Sequence, residues 1–262
     1  MQTLIPEQFV MIKIHTLLAL CIFLLWSSNL FAQDEFIIEE ENEFGGQTTE
    51  FSDTKLGILQ AVIYYGSDNR RVKEEKEFTK KSALLYGIVR EVKKYFFDIK
   101  IQHERYFTPQ FARKYLTRKR TDYFDRYTGE RTKVEKFFTE AYLGRNITYY
   151  FKEKRTKVEW FYPQNLEGIR QQVTFFAPDG VRKTKKEYWY TKKTTRTKGY
   201  YRSVHFLEDS RKIKQIWYYT TDYAAKNRNI IKQIDHFSYH PEKLMTIQSN
   251  FFNEKGALVP VK

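Results

Sequence analysis

Residues 133–139 read Lys-Val-Glu-Lys-Phe-Phe-Thr, and residues 185–191 read Lys-Lys-Glu-Tyr-Trp-Tyr-Thr. Both stretches follow one phrase, Lys-x-Glu-x-aromatic-aromatic-Thr. Side chains alternate between the two faces of a strand, so Lys, Glu and the first aromatic residue share one face and the second aromatic residue lies on the other. A β-sandwich strand is apolar mainly on its buried face. Strands with aromatic residues on both faces therefore predict a sheet in a single layer.

The phrase recurs roughly every 29 residues, which indicates an internal repeat. Weaker copies begin at Lys73, Gln102, Lys157 and Lys214. An aromatic pair precedes every copy and occurs once more near the C-terminus; these pairs are Tyr64-Tyr65, Phe96-Phe97, Tyr123-Phe124, Tyr150-Phe151, Phe175-Phe176, His205-Phe206 and His236-Phe237. Turn residues such as those at 178–180 separate the pair from the phrase, so each repeat is predicted to be a β-hairpin.

A glycine or an asparagine precedes the first strand of most repeats. These residues are Gly87, Gly144, Gly168, Gly199 and Asn229. Gly and Asn tolerate the positive φ of a tight return turn, so successive hairpins can follow one another. We predict an all-β fold, an antiparallel meander of tandem β-hairpin repeats over residues 57–262 that forms an elongated or strongly curved single sheet. Residues 82–92 and 109–116 could instead be short helices, because their apolar residues fit both periods.

Residues 168–190 contain one complete unit. It consists of a glycine, an aromatic pair, an Asp-Gly turn and a charged second strand, with Lys185, Glu187 and Trp189. This order resembles the bacterial variant of the MORN repeat, and Phe251, Phe252, Asn253, Gly256 and Leu258 look like the opening of one more copy. The resemblance covers roughly residues 58–258. It implies a scaffold, or a module that contacts proteins or membrane lipids, and it brings no catalytic residues.

The N-terminus has the layout of a secretory signal peptide over residues 1–32. A basic stretch with Lys13 precedes the apolar run Leu17–Trp26, which is shorter than the 20 or so residues that cross a bilayer. We expect export to the periplasm, the cell surface or the medium, from a start at Met1 or Met11. Cys21, the single cysteine, lies inside the run, so the mature chain can form no disulfide or thiolate metal site.

The charge of the chain is unevenly distributed. The net charge is +14, but residues 1–53 carry nine acidic side chains and one lysine, which leaves +22 on residues 54–262. The acidic segment, residues 33–56, is predicted to be a flexible leader. It either solubilises the chain or folds back onto the basic repeat body.

Candidate catalytic groups are scarce. The histidines after the signal segment are His103, His205, His236 and His240. His236 and His240 have the spacing of a helical metal site, but on a strand they would lie about 13 Å apart. No phosphate-binding glycine loop, nucleophile elbow or zinc-protease helix is present. The sequence therefore predicts no enzymatic activity, no metal and no cofactor.

A basic, tyrosine-rich stretch is the candidate binding site. We predict one face for an anionic ligand, formed by Lys183, Lys185, Lys186, Trp189, Tyr190, Lys192, Lys193, Arg196, Tyr200, Tyr201 and Arg202. Such residues hold anionic groups while their rings stack on a partner. The expected partners are an envelope protein, an anionic lipid or an anionic glycan, and export makes specific nucleic-acid binding unexpected.

Two alternatives to this interaction or scaffold module stay open. The first is a purely structural repeat array without a specific ligand, whose charges keep the sheet soluble. The second is an outer-membrane-associated β protein. Lipid-facing strands should be apolar along one whole face, whereas residues such as Lys136 and Lys186 place charge opposite the Lys and Glu of the phrase.

Overall fold

A computed structural model describes residues 34–38, 41–139, 144–166, 168–240 and 243–260. Their strands form one antiparallel sheet in which the spatial order of the strands is their order in the sequence. The predicted single-layer meander of hairpins is confirmed. Sixteen strands spaced about 4.8 Å apart extend for about 70 Å across the sheet. The predicted signal peptide, with Met11 and Cys21, lies outside the described residues.

The strands are β1 (Asp34–Ile38), β2 (Gly45–Asp53), β3 (Ile58–Gly66), β4 (Arg71–Phe78), β5 (Ile88–Phe96), β6 (Ile99–Phe107), β7 (Thr117–Phe124), β8 (Arg131–Phe138), β9 (Arg145–Phe151), β10 (Lys154–Leu166), β11 (Ile169–Phe176), β12 (Lys183–Tyr190), β13 (Tyr200–Glu208), β14 (Arg211–Tyr219), β15 (Lys232–His240) and β16 (Lys243–Phe252). Four short helices follow even-numbered strands: α1 (Lys80–Tyr86), α2 (Pro109–Tyr115), α3 (Lys192–Lys198) and α4 (Thr221–Lys226). Even-numbered strands all run in the same direction, so the helices lie at the same end of the strands. No described helix is long and apolar enough to cross a membrane.

Part of the acidic segment belongs to the sheet, which corrects the prediction of a flexible leader up to residue 56. β2 pairs with β3, and Glu50 lies opposite Val62. Glu50 holds the Glu position of the phrase, and Thr54 holds its final Thr position. β2 thus repeats the second strand of a hairpin without its aromatic residues, and the sheet starts before residue 57.

The final Thr of the phrase starts a helix. The side-chain oxygens of Thr79, Thr108, Thr191 and Thr220 each accept a hydrogen bond from the N–H three residues later, which is the usual N-cap arrangement. The helical alternative is therefore correct for residues 109–115 and for the first part of 82–92, whereas Ile88 begins β5. The sequence did not predict α3 and α4.

The glycines that precede the first strands have the predicted positive φ. Gly87, Gly144, Gly168, Gly199 and Asn229 all lie in this region. Gly199 ends α3, and its carbonyl accepts a hydrogen bond of 2.8 Å from the Thr220 N–H of the next repeat. A Cβ on Gly199 would overlap the ring of Tyr223 in α4. Gly87, Gly168 and Gly199 therefore provide both a backbone conformation and the space on which the next helix packs.

Every hairpin from β3–β4 to β15–β16 carries a bulge in its second strand. The bulged residues are all β-branched: Val72, Ile101, Thr132, Thr156, Thr184, Ile213 and Ile247. In three of them the Thr hydroxyl donates to the carbonyl of the first residue of the aromatic pair, as Thr132 does to Tyr123 at 3.3 Å. The bulge therefore fixes the register at the same position of each hairpin.

This register corrects some of the predicted aromatic pairs. In three hairpins, the two residues opposite the bulge are not the predicted aromatic pair. They are Lys94-Tyr95 instead of Phe96-Phe97, Tyr149-Tyr150 instead of Tyr150-Phe151, and Phe206-Leu207 instead of His205-Phe206. These three hairpins close with turns of two residues, at 97–98, 152–153 and 209–210. Phe252 pairs with Lys232 and closes the last hairpin, so it does not open another copy.

The buried apolar residues lie on both sides of the sheet. Val92, Val173 and Val204 are buried beneath the long side chains of one face, and Val134 and Val158 beneath those of the other. The helices each contribute a buried alanine, except α3. The stems of Lys, Arg and Tyr thus replace a second layer.

Candidate functional site

A row of glutamates crosses the sheet. The register places the Glu residues of the phrase directly in line with β-branched residues of the intervening strands. The row contains Glu75, Val92, Glu104, Thr121, Glu135, Ile147, Glu159, Val173, Glu187 and Val204. We call the side of the sheet that carries this row the glutamate face. The carboxylates recur on every second strand, about 10 Å apart.

Cations and aromatic rings flank the glutamates on both sides. On one side, lysines of second strands lie over rings of first strands, with Lys133 at 3.8 Å from the ring centre of Tyr123 and Lys185 at 4.0 Å from that of Phe175. On the other side, Arg202 lies 5.3 Å from the ring centre of Trp189. Such contacts bury the cation stems and cover the rings.

The glutamates neutralise the cations of this face. Glu187 forms salt bridges of 2.8 Å with both Lys185 and Arg202, and its side chain is 8% exposed. Glu75 does the same with Lys73 and Arg90, at 2.7 Å each. Burial alone would raise the pKa of Glu187, but the hydrogen bonds from its two cations outweigh burial and hold the pKa below its usual value. The glutamate face is therefore internally paired.

Some charges of the opposite face are paired in the same way. Glu74 accepts hydrogen bonds from Lys76 at 2.7 Å and from the Tyr95 hydroxyl at 2.6 Å. Burial opposes ionisation, but these donors and Lys93 lower the pKa of Glu74 to about 2. Asp122 bonds both Arg105 and Arg120, at 2.9 and 2.6 Å. No described cluster of acidic and histidine side chains is arranged to hold a metal ion.

His205 lies half-buried on the face opposite the glutamate face, where its surroundings disfavour protonation. Burial, together with the nearby charges of Lys212 and Lys186, lowers the pKa of His205 to about 4. Its ring lies 4.8 Å from that of Tyr188. The imidazole is therefore neutral at physiological pH and packs as an aromatic side chain.

The four helices form a basic edge without this pairing. We call it the helical edge, and its basic residues are Lys80, Lys81, Arg113, Lys114, Lys192, Lys193, Arg196, Lys198 and Lys226. All nine are exposed, and the helices contain one acidic residue, Asp222. Within the described ranges none of the nine forms a salt bridge. The uncompensated positive charge of the helices is thus concentrated at one end of the strands.

The two pairs of helices differ in their uncharged residues. Leu84, Leu85 and Tyr86 of α1 and Tyr115 of α2 are exposed beside the cations. The helices α3 and α4 instead carry exposed or half-buried threonines, and a shallow cleft between them is lined by Arg196, Asp222, Tyr223 and Lys226 among others. The N-terminal pair is therefore the more apolar part of the helical edge.

The predicted anionic-ligand residues do not form one face. Lys185, Trp189, Tyr201 and Arg202 lie on the glutamate face, as the pairing of Trp189 with Arg202 and the contact of the Tyr201 ring with Tyr218 indicate. Lys183, Lys186, Tyr190 and Tyr200 lie on the opposite face. Lys192, Lys193 and Arg196 lie on α3. The prediction of a single face is corrected, because strand residues alternate and Thr191 starts a helix.

Sequence reasoning missed most of the helical edge. The predicted binding residues did not include Lys80, Lys81, Arg113 or Lys114, although two sequence signals indicated helices at these positions. Thr108 is followed by Pro109, and Pro is favoured in the first turn of a helix. The Thr that ends each phrase is also a preferred N-cap residue.

No protein-family model matches the sequence, and no curated protein matches it. The function therefore has to be inferred from the arrangement of charges in the fold.

Proposed function

We propose that this protein is an exported, non-enzymatic interaction module of the cell envelope that binds an anionic partner along its helical edge. One observation carries the proposal. Many cations of the sheet faces, such as Lys185 and Arg202, have carboxylate partners, whereas the nine cations of the four helices form no salt bridge in the described part of the chain. Unpaired cations on one edge attract anions and raise their local concentration.

The spacing of the helices favours an extended partner. α1 and α2 follow strands that are two positions apart, about 10 Å, and α2 and α3 follow strands that are six positions apart, about 29 Å. An envelope protein with an acidic surface, an anionic lipid layer or an anionic glycan could contact several helices at once. The scaffold role implied by the resemblance to the bacterial MORN variant agrees with this proposal.

A purely structural array is the second candidate. The internal pairing of Glu187, Glu75 and Asp122 supports it, because such networks stabilise a sheet that has no second layer. In that case the charges of the helices only keep the ends of the strands soluble. The two candidates differ in whether the helical edge retains a partner at physiological salt.

The test measures retention of the purified protein on cell-envelope fractions, on vesicles with anionic lipid and on an immobilised anionic polysaccharide. One variant changes Lys192, Lys193, Arg196 and Lys198 to Gln. The matched control removes four exposed cations from the opposite, turn end of the strands, and changes Lys152, Lys154, Lys183 and Arg211 to Gln.

We expect the α3 variant to lose at least about tenfold in retention, since each cation near an anionic surface contributes about 1 kcal/mol. The turn-end control should keep most of its retention. Equal losses in both variants would mean that the binding is nonspecific attraction. A wild-type protein that is not retained at physiological salt would favour the structural array.

A further inference from the structure

The last described strand of the sheet, β16, pairs with β15 on its inner side. No other described strand pairs with its outer edge. From Leu244 to Phe252 it contains no charged residue, whereas β12 contains four. Met245 and Ile247 are 49% and 65% exposed. Edge strands usually carry charge or proline that prevents pairing with another chain, and β16 has neither along most of its length.

The chain itself shows that this edge accepts a further strand. After β16 it turns at Asn253, and the Val259 N–H donates to the Phe251 carbonyl at 2.8 Å. Leu258 forms a β-bridge with Phe252. The returning segment covers only this end of β16, so the stretch 244–250 has no strand on its outer side within the part of the chain that the structure describes.

The residues that fill the repeat positions of β16 suit pairing with an identical strand. The phrase positions that hold Lys and Glu in β12 hold Gln248 and Asn250 in β16. Two identical strands placed side by side bring like charges close together, and Lys or Glu would oppose this. Amides offer both a donor and an acceptor, so they can face a second copy without repulsion.

We propose that β16 is a dimerisation edge, on which a second copy of this chain adds its own β16 in antiparallel orientation. A two-fold axis near Ile247 would place Gln248 opposite Thr246 and Asn250 opposite Leu244. The result is one continuous sheet of twice the width, and a closed two-fold interface rather than a fibre.

The proposed dimer has a defined geometry. Antiparallel pairing of two β16 strands reverses the strand direction of the second copy, so its helices lie at the opposite end of the strands. The two helical edges would then face away from each other. The dimer itself does not depend on the proposed anionic partner, but together the two proposals predict a protein that links two such partners.

The experiment measures the mass of the purified protein, expressed as the full chain, by light scattering over a range of concentrations. The test variants are Ile247→Lys and Met245→Lys, which add charge to the open edge. The matched control is Leu85→Lys, at a site in α1 that is 73% exposed and far from β16 in the sheet. Circular dichroism establishes that each variant keeps its strand content.

We expect dimers for the wild type and for Leu85→Lys, and a shift of at least tenfold in the dimer dissociation constant for both edge variants. Ile247→Cys should form a disulfide-linked dimer under oxidation, since strands paired near this residue bring their Cβ atoms into bonding range, while Leu85→Cys should not. A monomeric wild type, or dimers unaffected by both edge variants, would overturn the proposal. A series of larger oligomers would also overturn it, because that pattern requires end-to-end pairing of β16 with β1.

Discussion

The glutamate face and the helical edge are both rich in lysine and arginine, but they use these residues differently. On the glutamate face, Lys185 and Arg202 share the carboxylate of Glu187 and lie against aromatic rings. On the helical edge, Lys192 and Lys193 are exposed and form no salt bridge in the described structure. The cations of the glutamate face therefore stabilise the fold, whereas those of the helical edge are free to contact a partner.

This difference shows that the density of basic residues in a sequence does not locate a binding surface. The stretch from Lys183 to Lys193 reads as one basic cluster, yet its members face three directions. Where a strand continues, its cations can meet carboxylates of the same strand, as Lys185 meets Glu187, or of a neighbouring strand, as Arg202 does. Where the strand ends and a helix begins, no carboxylate column is in reach.

The largest expected effect on stability comes from a substitution that disrupts the packing of the helical edge. Gly199→Ala should lower the free energy of unfolding by about 3 kcal/mol, because Ala is disfavoured at φ +80° and its Cβ would overlap Tyr223. Gly256→Ala is the control, since this glycine has a similar φ with open space around it, and it should cost about 1 kcal/mol. Urea denaturation measures both, and equal losses would show that α4 does not pack on Gly199.

The next effect tests the internal pairing of the glutamate face. Glu187→Gln should cost about 2 kcal/mol, because it leaves two partly buried cations without a carboxylate. The control Glu208→Gln changes an exposed residue at the end of β13 and should stay within about 0.5 kcal/mol. If thermal and urea unfolding show the same stability for both variants, the carboxylates do not hold the cations in place.

The third prediction concerns how the free energy of unfolding depends on pH through His205, a side chain that is neutral in the folded protein. His205 has an ordinary pKa of 6.5 when unfolded and about 4 when folded, so the unfolded chain binds the proton more readily. The stability that neutral His205 contributes is complete above pH 6.5 and declines toward pH 4. The wild type should lose about 1 to 2 kcal/mol more than His205→Gln between pH 7 and pH 5. Parallel curves for the two proteins would contradict this.

The smallest effect on stability should come from the cations of α3. Lys192→Gln with Lys193→Gln should change the free energy of unfolding by no more than about 0.5 kcal/mol, because neither lysine has a folded-state partner to lose. Lys185→Gln is the matched change on the glutamate face and should cost about 1 kcal/mol through its salt bridge with Glu187. A marked loss from the α3 pair would mean that these lysines are structural.

Much of the fold could be predicted from the alternation of residues in the phrase. Strand periodicity placed Lys185, Glu187 and Trp189 on one face, and the positive φ of Gly87 and Gly199 followed from residue type. The aromatic pairs were misplaced where a turn has two residues, because the length of a turn cannot be read from its composition alone. Strand β2 has Ser52 and Asp53 at the two aromatic positions of the phrase, so it gave no signal.

The candidate site was predicted less well than the fold. Lys185 and its carboxylate partner Glu187 lie two residues apart on one strand, but the second cation on Glu187, Arg202, comes from the next strand, and that pairing requires the register. The helices begin at a threonine that also fits the end of a strand, so Thr191 appeared to continue the strand into Lys192. The sequence showed that the region is basic, but the distribution of its lysines and arginines between the two faces and the helical edge depended on strand pairing.

The meander topology determines how this molecule would respond to force. Within the part of the chain that the structure describes, each strand pairs only with the strands before and after it, so no strand pairing ties distant segments together. A pull on the two ends would load one terminal hairpin at a time, and the sheet would peel open strand by strand at low tension. Such a chain can lengthen severalfold without releasing all of its structure at once, and each hairpin can close again on its neighbour when the tension falls.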